Sequence, residues 1–292
     1  MEIMIKSTST YDARDEFSSI QLAATAGNRC IAISGKNRSD IDLLINIGIY
    51  RDKNILEPAM ASLIQKRLRL NNDPLETRMR QQTFSFDLVN GIPSFINAIE
   101  VIDAMMQTGE STNALIVSSD THPSRRKQDD FPFTPFGAAM LLSRDNGNRR
   151  PGQFIYQTSN NGYSGLTGYT ASSQPDGQNL LTIDMKNDYC EQALSFAVDA
   201  IKKGIESKRI DLSGITAVIS SQPGKNFGRS VAEGIGLSPD MAIDTFEEHG
   251  DTCSSALILG YHTGIEQNII TAEDKVLFVA VGSGLSMGCC IF

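Results

Sequence analysis

Short runs of consecutive apolar residues alternate along the chain with stretches in which apolar residues recur every three or four positions. That is the pattern of an α/β protein, buried strands interleaved with amphipathic helices. Ile41–Ile47, Phe84–Val89 and Ala114–Ser118 read as strands. Pro93 opens a predicted helix whose apolar stripe is Phe95, Ile99, Ile102 and Met106, and Gly109 stands just past its end. Proline inside the start and glycine beyond the stop are the expected boundary signals.

The second half repeats the order. A helix over Tyr189–Gly204 precedes a strand at Ile215–Ile219. A helix at Asn226–Glu233, a short strand at Met241–Asp244 and a helix opening near Thr252-Cys253-Ser254 follow, and then a strand at Val276–Val281. The closing Ser286–Phe292 matches Ala138–Ser143, and Arg38–Ile45 matches Arg209–Thr216 in its place between a long helix and a buried strand. The chain therefore divides into two similar halves, 1–146 and 147–292, with 147–180 a polar, loop-rich connector that includes room for a hairpin.

Composition narrows the function. The 26 Lys and Arg against 34 Asp and Glu leave a net charge of −8, the wrong sign for a nucleic-acid or anionic-membrane binder. No apolar run approaches the roughly 18 residues that span a bilayer. The start, Met1-Glu2-Ile3-Met4-Ile5-Lys6, lacks the layout of a signal peptide. Five cysteines form no C-x-x-C pair or disulfide frame, and three histidines are too sparse for a His-rich metal site. The expectation is a cytoplasmic protein with neither metal nor cofactor.

Four segments carry a resemblance. Phe86-Asp87-Leu88-Val89-Asn90-Gly91-Ile92-Pro93-Ser94-Phe95 resembles the nucleophile-bearing segment of β-ketoacyl-acyl-carrier-protein synthase III, and Leu56–Gln65 resembles the helix before it. His249-Gly250-Asp251-Thr252-Cys253-Ser254-Ser255-Ala256 and Gly282–Gly288 are similar to that family's later glycine-containing segments. The resemblance implies a thiolase fold, two βαβαβαββ halves packed as five αβαβα layers. It also implies a Cys-His-Asn set that attacks an acyl thioester, decarboxylates a malonyl partner and stabilises the enolate oxygen. Here the corresponding positions are Ile92, Pro223 and Asp251. The chain also has far fewer residues than the family usually has between its first strand and the helix that begins near Phe17. It contains no Trp, so coenzyme A is not an expected ligand.

Other residues qualify as candidates. Ser94 is an alternative nucleophile or a helix cap. His249 with Asp251 is an alternative acid–base pair, and Cys253 a helix-start thiol or a core residue. Phe133, Phe136, Gly282 and Gly284 are expected around a substrate pocket, and Arg125-Arg126-Lys127 at a carrier-protein or partner contact. Cys289 and Cys290 read as packing residues, and the Gly282 segment is no dinucleotide fingerprint because a strand, not a helix, follows it. The leading expectation is a non-catalytic partner of an active homologue in fatty-acid or polyketide-type chain synthesis. It would form a homo- or heterodimer through Phe84–Val89 and the Pro93 helix. The alternatives are an acyltransferase or thioesterase using Ser94 or His249 with Asp251, and an acyl-carrier-protein binder without turnover.

Overall fold

The computed structural model describes residues 2–71, 82–123, 131–145, 150–170 and 181–292. Arg125, Arg126 and Lys127 lie outside the described residues.

The first half runs β1 (Glu2–Asp12), α1 (Ser19–Ser34), β2 (Leu43–Asn46), α2 (Met60–Leu68), β3 (Phe84–Asp87), α3 (Ser94–Thr108), β4 (Asn113–Asp120) and β5 (Phe136–Asp145). Its sheet has the order β1-β5-β4-β2-β3. β2 runs parallel to β3 and β4, and β5 antiparallel to β4 and β1. The second half begins with β6 (Ile155–Thr158) and a separate hairpin of β7 (Leu166–Thr170) with β8 (Leu181–Met185). It continues with α4 (Tyr189–Glu206), β9 (Ile215–Ser220), α5 (Phe227–Gly234), α6 (Phe246–His249), α7 (Ala256–Glu266), β10 (Lys275–Gly282) and β11 (Ser286–Ile291).

The second sheet, β6-β11-β10-β9, repeats the order of the first four strands of its counterpart. The fifth place is held by one parallel bridge between Val218 and Ala242. The strand expected at Met241–Asp244 is therefore reduced to a contact, because Pro239–Met241 is coiled into a 3-10 turn capped by Ser238. The helix expected near Thr252 also opens differently, with a 3-10 turn at Cys253–Ser255 ahead of α7.

Alternation along the central strands explains the layering. In β4, Ala114 and Ile116 face the middle of the molecule while Leu115 and Val117 face α1 and α2. In β10, Val276, Phe278 and Ala280 face the middle, and Leu277, Val279 and Val281 face α4 and α5. A strand buried on both faces must be apolar at every position, hence the unbroken runs in the sequence. The middle layer is α3 and α7, clasped between the two sheets, with the Phe95 and Phe278 rings 5.1 Å apart. The five layers are α1 and α2, the first sheet, α3 and α7, the second sheet, then α4 and α5. Apolar surface on more than one side of α3, Met105 and Met106 included, is thus covered within the chain.

Helix and sheet approach closely where side chains are absent. A Cβ on Gly137 of β5 would stand 2.6 Å from the Leu22 carbonyl oxygen of α1. Backbone on both sides cannot yield as a side-chain tip can. Gly137→Ala is expected to destabilise the protein by about 1–3 kcal/mol, the usual range for overpacking. It should read out as a lower urea midpoint at unchanged slope.

Candidate active site

The parallel strands β2, β3 and β10 point their carboxyl ends at one cavity of about 250 Å³. Such ends are where α/β sheets place ligands. Ile49 and Tyr50 enter from the loop after β2, and Gly91 and Ile92 from the turn into α3. Gly282 and Ser283 follow β10, while Tyr189 opens α4 and Leu166 and Gly168 come from β7. Phe133 precedes β5, and Asp251 and Cys253 lie between α6 and α7.

Two carboxylates organise these loops, Asp120 fully buried and Asp87 partly so. Asp87, at the end of β3, accepts from the Met60 and Ala61 amides at 2.9 and 2.7 Å and so caps α2. It also binds Asn46 Nδ2 at 3.0 Å and Arg51 at 3.1 Å. Asp120, at the end of β4, accepts from the Ile49 and Tyr50 amides at 2.7 and 2.9 Å. Its other oxygen takes the Ser254 amide at 3.1 Å and the Ser254 hydroxyl. One side chain thereby ties the Tyr50 loop to the Cys253 loop.

The expected site residues separate into those on the cavity wall and those away from it. Ile92, Asp251, Phe133 and Gly282 are on the wall. Ile92 is buried against the central core and offers only hydrocarbon. A Cβ on Gly282 would stand 2.8 Å from Ser286 Oγ and 3.1 Å from Pro93, so a side chain there would crowd the head of α3. Pro223, Ser94, His249, Phe136 and Gly284 are not part of the wall. Ser94 is fully buried, donating from Oγ to the Gly91 carbonyl at 2.6 Å and accepting from the Asn90 amide at 2.7 Å. Its hydroxyl closes the turn that presents Ile92. The His249 ring packs on Phe136 with centroids 5.2 Å apart, and its Nδ1 lies 3.6 Å from Asp12 rather than pairing with Asp251.

Cys253 and the tyrosines are the cavity groups that sequence reasoning missed or set aside. Cys253 adopts φ 52°, the left-handed region that a non-glycine residue occupies only under local constraint. The constraint is Asp251 Oδ1, which accepts the Cys253 amide at 2.8 Å. Burial, with Asp120 and Asp251 close by, pushes the Cys253 thiol well up, so it is not a thiolate near neutrality. Burial likewise raises Tyr50 and Tyr189, with Asp251 adding to both. Among the described residues no three His, Cys, Asp or Glu side chains form a metal-binding group. No described helix is long and apolar enough to cross a membrane.

Comparison with known proteins follows this geometry. Residues 205–292 match the family model for the C terminal of 3-oxoacyl-[acyl-carrier-protein (ACP)] synthase III. The β-ketoacyl-[acyl-carrier-protein] synthase III of Aliarcobacter butzleri is 26% identical, over 96% of this chain and 84% of that protein. The enzyme of the same name from Neisseria meningitidis serogroup A is 24% identical, over 91% and 81%. The solved structure of 3-oxoacyl-(acyl carrier protein) synthase III from Pseudomonas aeruginosa superposes with a TM-score of 0.81 at 15% identity, covering 100% of this chain and 98% of that one. The Aquifex aeolicus counterpart gives 0.79, covering 99% of each. The chain has the ketosynthase III fold. Within that fold the thiolase-type layering expected from the sequence is present, and the cavity lies among the segments that carried the resemblance.

The ketosynthase III fold holds Asp251 unusually. Burial raises its pKa from 3.8 to about 7; the Cys253 amide opposes the shift and Asp120 adds to it. The native state therefore keeps a proton that the unfolded chain releases between those two values. Its stabilising effect is complete below pH 3.8 and is lost as the pH climbs through 7. Asp251→Asn removes the cost of ionisation, so it is expected to raise Tm by several degrees at pH 8. At pH 4 it should leave Tm within about 1 °C. Differential scanning calorimetry at the two pH values checks this.

Proposed function

We propose that this chain is a ketosynthase III-like subunit without its own nucleophile, a non-catalytic partner of an active homologue in fatty-acid or polyketide-type acyl chain synthesis. The observation that carries the reading is Ile92, an unreactive side chain on the cavity wall at the entry to α3. The neighbouring hydroxyl and thiol do not replace a nucleophile. Ser94 is committed to its turn, and Cys253 is held protonated with no imidazole on the cavity wall to take its proton.

A partner is supported by the edge of the first sheet. Among the described residues β3 pairs only with β2, and its Phe84 and the following Val89 are 59% and 53% exposed. An unpaired edge with large apolar side chains is a liability unless another chain covers it. The contact proposed here is pairing along β3 with a second copy or with the active homologue. The helix α3 supports it from behind rather than by offering a free face.

Two measurements test this reading. Intact-mass spectrometry after incubation with acyl-coenzyme A or acyl-carrier protein should show no stoichiometric adduct. An adduct lost in Ser94→Ala or Cys253→Ala would establish a nucleophile and overturn the reading. Co-expression with an active ketosynthase III from the same genome should yield a complex whose interface buries more than roughly 2,000 Å². Val89→Asp should abolish that complex, and an unchanged complex in this variant would place the contact elsewhere.

A further inference from the structure

A cleft separate from that cavity runs along β1, where the two halves of the chain meet. β1 is an edge strand, paired among the described residues with β5 alone. Its Ser7 and Ser9 bond to α1, and its Thr8 reaches His262 of α7. Two hollows of about 310 and 430 Å³ adjoin here and share Ile33, His262 and Glu266. Ile5, Tyr261, Ile265 and Ala272 line the first, together with the exposed Lys6. Ser9, Thr10, Arg29 and Ala32 line the second. Ile33, on the boundary, is 64% exposed. An apolar hollow beside a polar one, between two structural units, is a setting in which small molecules bind.

The polar groups of the cleft are held in place but incompletely used. Thr8 Oγ1 and His262 Nδ1 lie 3.0 Å apart, and Glu266 Oε1 stands 3.4 Å from His262 Nε2. A neutral imidazole with its proton on Nε2 suits both contacts, and burial lowers the His262 pKa in agreement. The ring thereby positions Glu266, which accepts no hydrogen bond among the described residues. Arg29 is positioned from α1, its Nη1 donating to the Thr10 carbonyl at 3.1 Å and its guanidinium lying 4.6 Å from the Tyr11 ring centroid. Its Nη2 makes no hydrogen bond among the described residues. The polar hollow therefore presents one fixed cation and one fixed anion beside an apolar wall.

We propose that this cleft binds a free α-amino acid with an apolar side chain. A ligand of single charge gains from Arg29 or Glu266 and is repelled by the other, whereas a zwitterion is matched by both. The carboxylate meets Arg29, the ammonium meets Glu266, and the side chain lies against Ile5, Ile33 and Ile265. No bond is made or broken, and the cavity at the ends of β2, β3 and β10 takes no part. The occupant bridges β1 and α1 of the first half to α7 of the second, so binding fastens the two halves together.

Titration calorimetry of L-leucine into the purified full chain at pH 7 should show saturable binding, and the ligand should raise Tm. 4-Methylpentanoate lacks the ammonium and 3-methylbutylamine lacks the carboxylate. Each should bind about tenfold more weakly or worse, the worth of one lost charge-assisted hydrogen bond. Glu266→Gln should remove the preference for L-leucine over 4-methylpentanoate, and Arg29→Gln the preference over 3-methylbutylamine. Ile33→Asp, at an exposed position that the fold does not rely on, should weaken L-leucine about tenfold through lost apolar contact. Absence of saturable L-leucine binding by the unaltered chain would overturn the proposal. So would equal affinity for 4-methylpentanoate, which makes the cleft a plain anion site, or for 3-methylbutylamine, which makes it a plain cation site. Binding unchanged in Ile33→Asp would place the ligand elsewhere and overturn it as well.

Discussion

The Asp120 carboxylate is the constraint on which the cavity depends. It lies at the end of β4, a strand buried along its whole length, and reaches both the Tyr50 loop and the first turn before α7. Its partners lie 70 and 134 residues away in sequence, so the bond network forms only after both halves have docked. Burial raises the pKa of Asp120, and the amides and hydroxyl that occupy its lone pairs oppose that rise. Those same donors fix the loops carrying Tyr50 and Cys253, and Asp251 is placed two residues before Cys253. Shape and electrostatics of the cavity thus have one source. A charge buried to hold the fold together also raises the proton affinity of the acid beside it.

Much of the architecture was legible because burial on both faces leaves a plain mark. Ala114–Ser118 and Val276–Val281 lack polar positions in their first residues since each side chain, odd or even, meets a helix. The repeated order of the halves follows from those runs. Met241–Asp244 was misleading because a short edge segment carries little periodicity, and the preceding Pro239 turn holds it to a single bridge. The Pro93 helix was expected at a partner contact, whereas the fold packs its apolar residues between two sheets within the chain.

At the site, local motifs revealed positions and not partnerships. Ile92 and Asp251 could be found from their neighbours in sequence, and both reach the cavity. Whether Ser94 was a nucleophile or a turn element depended on where its hydroxyl pointed, which is toward Gly91 O and Asn90 N. Proximity of His249 and Asp251 in sequence proved a poor guide, since Gly250, at φ 70°, turns the chain between them. Nothing in the order of residues marks Tyr189, brought in by α4 from far along the chain. The proton held by Asp251 was equally illegible, because it arises from surroundings assembled by three separate loops.

The reduction of the last strand of the second sheet to the Val218–Ala242 bridge has a consequence for assembly. A chain built from two equivalent halves could in principle offer equivalent edges at both ends, so that the β3 edge of one molecule would meet the matching edge of the next. Contacts of that head-to-tail kind propagate into filaments wherever the rotation does not close a ring. With the fifth place of the second sheet cut to one bridge beside the Pro239–Met241 turn, that sheet has no counterpart of β3 among the described residues, so the β3 pairing proposed above has no equivalent edge at the other end. On that proposal, pairing of like edges about a two-fold axis is self-terminating and ends at two molecules.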